Sequence, residues 1–223
     1  MSIKSNLQFF LENLPPDCQL IAVSKTKPTE AIQEAYDARH RVFAENKVQE
    51  LVPKYEALPK DIQWHLIGHL QTNKVKYIAP FVHLIHSIDS FKLLEEVNKQ
   101  AQKVDRTIPC LLQLHIAEEE TKFGFSEDEV TALLASDEFH KLTNVTITGL
   151  MGMATFTENK EQIRREFRGL RGFFEKLKAS SLPPAVSMRH LSMGMSSDYQ
   201  VALEEGSTMI RVGSAIFGER SYT

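Results

Sequence analysis

Apolar runs rich in β-branched residues alternate along this chain with longer polar stretches, in which apolar residues recur every three or four positions. The runs lie near residues 20–24, 42–45, 64–68, 84–87, 110–116, 145–151, 190–194 and 209–213, each the length of one buried strand. Between them the spacing predicts helices that begin near Pro28-Thr29-Glu30, Asn46, Thr72-Asn73, Asp89-Ser90, Ser126-Glu127, Glu158-Asn159 and Ser196-Ser197. Several of these starts carry a Ser, Thr or Asn able to cap a first turn. A further helix over roughly 3–14 precedes the first strand. No low-complexity tract or Ser/Gly linker interrupts the series. Eight strand–helix units therefore predict one α/β domain over 1–223, a single (β/α)8 TIM barrel shorter than the usual ~250 residues. A doubly wound open sheet shows the same alternation but needs a glycine-rich turn after its first strand, where Lys25-Thr26-Lys27-Pro28 stands instead.

The first run carries candidate chemistry. Ile21, Val23 and Lys25 share one face of a strand, so two branched apolar residues lead to an amine at the end of an inner row. Partial loss of water lowers the cost of a neutral amine, the form that attacks carbonyls and makes Schiff bases. A lysine that only leaves a strand end for solvent would present the same residues.

The last run carries a second signal. Met209, Arg211 and Gly213 face together, and an arginine on an inner row is costly unless something there wants a donor or a cation. Gly213 would let a ligand approach the backbone, with the Gly213 and Ser214 amides free to meet an anion. Upstream, Gly194 and the hydroxyls of Ser196 and Ser197 follow the seventh run, and the loops after strands seven and eight are the usual phosphate site of such barrels. A simpler account has Ser196 or Ser197 capping a helix and Arg211 bridging to a carboxylate such as Glu45.

Five motifs, in order, resemble one family. Val23-Ser24-Lys25-Thr26-Lys27-Pro28, Phe43-Ala44-Glu45-Asn46 with Val48-Gln49-Glu50, and Trp64-His65-Leu66-Ile67-Gly68-His69-Leu70-Gln71 are the first three. Leu191-Ser192-Met193-Gly194-Met195-Ser196 and Arg211-Val212-Gly213-Ser214 with Ile216-Phe217-Gly218 complete the set. Together they are similar to the pyridoxal phosphate homeostasis proteins, relatives of the alanine racemase N-terminal barrel. The resemblance implies a pyridoxal 5'-phosphate (PLP) Schiff base on Lys25, with Arg211 facing the pyridine nitrogen and Asn46 near the ring. It implies a phosphate held by Ser196 and by the amides of Gly213 and Ser214. The implied role is to carry or buffer PLP for intracellular vitamin B6 and amino-acid homeostasis, with PLP-dependent apo-enzymes as acceptors and no substantial turnover. A PLP-dependent amino-acid racemase is the alternative, and a cofactor-free Lys25 aldolase a third reading. The sequence departs from the family's usual residues at Ala44, at Lys47 and over Leu114-His115-Ile116. It ends at Tyr222-Thr223, where the racemases continue into a domain that supplies an acid/base tyrosine.

Composition narrows the partners. The 223 residues are 42% hydrophobic and 25% charged with a net charge of -3, which argues against general binding to nucleic acid or anionic membranes. The start lacks a secretory h-region and no apolar run approaches a bilayer's thickness, so a cytoplasmic protein is expected. Cys18 and Cys110 have no metal or redox spacing and read as reduced, partly buried thiols. His65 and His69, four apart, lack a third ligand at a fixed offset and read as polar packing rather than a metal site. Six basic residues between Arg164 and Lys178 lie opposite Ile163, Phe167, Leu170, Phe174 and Leu177, the pattern of an outer barrel helix, which a membrane- or RNA-binding helix would share. Met151, Met153, Met188, Met193, Met195 and Met209 read as adaptable packing around a pocket. A closed barrel of this size allows a monomer.

Overall fold

Parallel strands covered on both faces need apolar residues on both, and the eight runs supply them. The computed structural model, which describes residues 2–118 and 123–219, forms them into β1 (Gln19–Val23), β2 (Val42–Glu45), β3 (Gln63–Leu66) and β4 (Leu84–Ile88), followed by β5 (Ile108–Leu114), β6 (Val145–Gly152), β7 (Val186–Met195) and β8 (Met209–Val212). Every neighbouring pair is parallel, and β1 pairs with both β2 and β8, so the sheet closes. The barrel expected from the sequence is the fold, and the open sheet is not.

Alternation sorts the strand residues into two layers. Ile21, Val23, Val42, Ala44, Leu84, Leu111, Met151 and Met209 fill the inside of the barrel. Leu20, Ala22, Phe43, Trp64, Leu66, Cys110, Leu112 and Ile210 face outward into the core beneath the helices. Cys18 and Cys110 are buried free thiols, and burial pushes both up, Cys18 to about 11.

The helices are α1 (Ile3–Asn13), α2 (Thr29–Asp37), α3 (Val48–Ala57), α4 (Val75–Ile78), α5 (Phe91–Lys103), α6 (Glu127–Ala135), α7 (Asp137–His140), α8 (Lys160–Lys178), α9 (Tyr199–Glu204) and α10 (Ser214–Phe217). Side chains of Ser2, Ser90, Ser126, Ser136 and Asn159 cap α1, α5, α6, α7 and α8. Two starts fall later than the sequence signals: Lys47 and Asp198, not Asn46 and Ser197, occupy the caps of α3 and α9. Helix α8 buries Ile163, Phe167, Leu170, Phe173, Phe174 and Leu177, while Arg164 and Arg168 pair with Glu204 and Glu205 beside α9. The apolar face of this helix is thus covered by the barrel, the arrangement of an outer barrel helix. No helix among the described residues is long and apolar enough to cross a membrane.

The pairings from β4 round to β8 are irregular. Register shifts occur between Ile85 and Ile88, Cys110 and Leu111, Ile147 and Gly149, and Ser192 and Met195. Gly149 has φ 156°, and a Cβ there would stand 1.8 Å from the His190 carbonyl oxygen, so only glycine fits this bulge.

Candidate functional site

A cavity of about 440 Å³ opens where the strands end. Lys25, Asn46, Ser196, Arg211, Gly213 and Ser214 all line it, together with Val23, Lys27, Ile67, Met153, Phe156, Met195, Ser197 and Gly218. The chain thus brings together the turns after β1, β2 and β8, the end of β7, and segments beyond β3 and β6. Lys25 lies two residues past the end of β1, half-buried, in a turn that Thr26 makes with φ 62°.

That turn is fastened from outside the barrel. Glu45 is buried at the end of β2, where its carboxylate accepts from Ser24 Oγ at 2.6 Å and from Lys54 Nζ at 2.8 Å. The Lys54 ammonium also donates to the Ser24 carbonyl at 2.9 Å, and the Thr26 amide donates to Glu50 at 2.7 Å. The peptides on either side of Lys25 are therefore both tied to α3. Burial pushes the Glu45 carboxyl up, opposed by Lys54. Glu45 belongs to this clamp and does not bridge to Arg211, the simpler alternative that the sequence allowed.

Arg211 is 3% exposed and faces the barrel interior, as the inner row of β8 predicts. Its guanidinium donates to Ser192 Oγ at 2.7 Å and to the Gly152 carbonyl at 3.1 Å. Burial lowers its pKa to about 10, and Asp198 acts in the opposite direction. Such a group remains a cation and a donor at neutral pH.

On the opposite flank the Gly213 amide donates to Ser196 Oγ at 3.2 Å. The Gly213 amide is therefore not the free group that the sequence suggested but is joined to Ser196, another residue of the expected phosphate site. Nor do Ser196 and Ser197 cap α9, since Asp198 holds that position while accepting from the Met195 amide at 2.6 Å. Gly213 is also constrained by packing, because a Cβ there would lie 3.2 Å from the Val23 carbonyl oxygen. Asn46 Oδ1 is buried without a hydrogen-bond partner, and a Cβ at Gly68 would come within 2.3 Å of the Asn46 carbonyl oxygen. Gly68 thus lets the Asn46 backbone sit against β3.

Other sequence candidates separate. His65 is buried inside the barrel, whereas His69 is exposed and pairs with Asp89 at 2.9 Å. Lys27 reaches across the opening to the Glu219 carbonyl at 2.7 Å. Met153 and Met195 line the cavity and Met151 and Met209 the interior below it, but Met188 and Met193 pack on the outer side of the sheet. Lys122, an alternative amine in the sequence, lies outside the described residues, as do Tyr222 and Thr223. Ile67 and Phe156 were not anticipated as lining residues. For Ile67 the signal was available, since it shares the inner face with His65; Phe156 stands in a loop with no period to read.

The sequence profile of the alanine racemase N-terminal domain matches residues 1–221. A pyridoxal phosphate homeostasis protein from Aquifex aeolicus is 43% identical over 205 residues, covering 92% of this chain and 88% of its own. The chain belongs to the pyridoxal phosphate homeostasis protein family. A second member, from Vibrio alginolyticus, is 39% identical over 214 residues, covering 94% of this chain and 89% of its own. In structure, the family barrel superposes on PipY of Synechococcus elongatus PCC7942, which is 37% identical and has been solved with and without PLP. The PLP-bound form gives a TM-score of 0.88 over 97% of this chain and 100% of PipY.

Proposed function

We propose that this chain holds pyridoxal 5'-phosphate at the barrel mouth and carries or buffers it in the cytoplasm, with little or no turnover of its own and with PLP-dependent apo-enzymes as acceptors. The observation that supports this most is the convergence of Lys25, Asn46, Ser196, Arg211, Gly213 and Ser214, drawn from β1, β2, β7 and β8, on one cavity. Membership of a family whose PipY relative has been solved with PLP bound supports the same ligand.

The residues fit the group. Lys25 supplies the amine for a covalent link to the aldehyde. Ser196, which keeps its own hydroxyl hydrogen while accepting from Gly213, and the Ser214 amide supply donors to a phosphate, and the Gly213 amide joins them if it turns from Ser196 to the anion. Each charge-assisted bond contributes about 1.5–3 kcal/mol. Arg211 can only donate, which suits an unprotonated ring nitrogen, and Asn46 Oδ1 is an acceptor still without a partner. When bound, PLP supplies an electrophilic carbon and an electron-withdrawing ring, and an arginine at the nitrogen weakens the second property.

What else lines the cavity supports storage rather than racemisation. Racemisation needs a proton donor or acceptor on each side of a substrate carbon. Among the described lining residues the titratable ones are Lys25, Lys27 and Arg211, and Lys27 is engaged by Glu219. A closed barrel leaves no unpaired strand edge, so a monomer needs no partner to cover one.

An absorption spectrum of the purified protein with PLP, followed by borohydride reduction and peptide mapping, tests the reading. A visible band fixed on Lys25, with no α-proton exchange of amino acids in deuterium oxide, is expected. Label on another residue would overturn the site, and rapid exchange would establish the racemase.

A further inference from the structure

Beneath the cavity floor, four side chains form one hydrogen-bonded row across the inside of the barrel. Arg211 donates to Ser192 Oγ at 2.7 Å, Ser192 Oγ lies 2.9 Å from His86 Nδ1, and His86 Nε2 lies 2.9 Å from His65 Nδ1. They come from β8, β7, β4 and β3, and none is more than 3% exposed. Polar residues on an inner row of the barrel displace apolar packing, so a complete row of four calls for an explanation beyond stability.

A guanidinium has no lone pair to offer, so the direction of the first bond is fixed. Ser192 Oγ must accept from Arg211, which leaves its hydrogen for His86 Nδ1. His86 then carries its proton on Nε2 and donates to His65 Nδ1, and His65 carries its own proton on Nε2. His65 Nε2 is buried without a partner, and it alone is left over. The reverse polarity, with Ser192 Oγ accepting from both sides, leaves the serine hydrogen unplaced as well as His65 Nε2. Two buried groups would then be unsatisfied instead of one, which favours the first arrangement.

We infer that Ser192, His86 and His65 are positioning residues for Arg211: a row of fixed polarity that keeps the guanidinium aimed at the cavity as a hydrogen-bond donor and keeps a ligand's ring nitrogen unprotonated. The inference rests on the carrier reading for its ligand but not for its polarity. The groups facing the row are consistent with neutral imidazoles. His83 and His190 act on His65, His190 and Arg211 act on His86, and Asp198 acts on Arg211. Burial and these neighbours hold both interior imidazoles well below the usual histidine range. A proton added to His86 would place a second cation against Arg211 and reverse the bond to Ser192.

Two measurements test the row. In 15N-labelled protein without cofactor, long-range proton–nitrogen spectra between pH 6 and 8 should show His65 and His86 neutral and protonated on Nε2; a proton on His86 Nδ1 overturns the polarity. With PLP added, the visible band is titrated against pH in wild type, Ser192→Thr and Ser192→Ala. Wild type and the threonine variant, which keeps a hydroxyl, should agree, while Ser192→Ala should shift the midpoint by about one pH unit or more. A Ser192→Ala titration that superposes on wild type overturns the positioning role. Should that variant not fold, His86→Asn takes its place, with the same two outcomes. Absence of any visible band in wild type would defeat the carrier reading instead, and the cofactor-free spectra would still decide the polarity of the row.

Discussion

At the scale of single residues, the division of labour between a covalent link and an anion grip is measurable. Lys25→Ala should abolish the visible band while circular dichroism and melting stay near wild type, because Ile21 and Val23 beneath it are untouched; a retained band would move the link to another amine. If Ser196, Gly213 and Ser214 grip a phosphate, PLP should bind two to four decades more tightly than pyridoxal, corresponding to about 3–6 kcal/mol from two or three charged hydrogen bonds. Ser196→Ala should weaken PLP about tenfold by titration, and equal affinity for the two aldehydes would sink the phosphate site. The residues of this site were legible because each breaks a local pattern: Lys25 ends an apolar row, Arg211 interrupts one, and Gly213 and Ser214 follow it. The Gly213 bond to Ser196 was not legible, since it joins β7 to the turn after β8 through a register that no local pattern reports. Ser192 stands in a motif of the seventh run and His86 in the fourth run, but a lone polar letter in an apolar run does not say which partner satisfies it.

Elements explain why the residues stay where they are. The Glu45–Lys54 pair ties β2 and α3 to the backbone just before Lys25. Lys54→Met should cost about 3–5 kcal/mol in a denaturant titration, because it leaves a buried carboxylate without its cation. The double variant Glu45→Leu with Lys54→Met should recover much of that loss, and no recovery would show that the lysine acts by packing alone. On the far side, Gly149→Ala should destabilise by more than about 3 kcal/mol, since the new methyl meets the His190 carbonyl; a wild-type melting point would show that the bulge can open. All eight strands were readable from their apolar runs, but β7 begins at Val186, earlier than its run suggested, because exposed Arg189 breaks the apolar period ahead of the run. Helices α7 and α10, four residues each, are too short to show a helical repeat in sequence.

At the scale of the whole molecule, the histidines set a pH limit. Burial lowers the pKa of His40, His65, His83, His86 and His190 below the usual histidine value. The unfolded chain then binds more protons around pH 6.5, so stability is full above that value and falls as pH drops through it. Fully buried His65 and His86 should each contribute a slope of up to about 1.4 kcal/mol per pH unit there. Glu45, whose pKa is raised, works in the opposite sense just above the ordinary carboxylate range. Melting temperature should therefore fall between pH 7.5 and 5.5, with proton uptake on unfolding measurable by calorimetry in buffers of different ionisation heat; a flat profile would mean the row takes up protons while folded. The closure of β1 against β8 has one more consequence. On the proposed reading, the amine leaves the ribosome during synthesis long before the residues that would grip a phosphate, so firm retention of PLP would wait for the last strand and cofactor uptake would report a finished barrel.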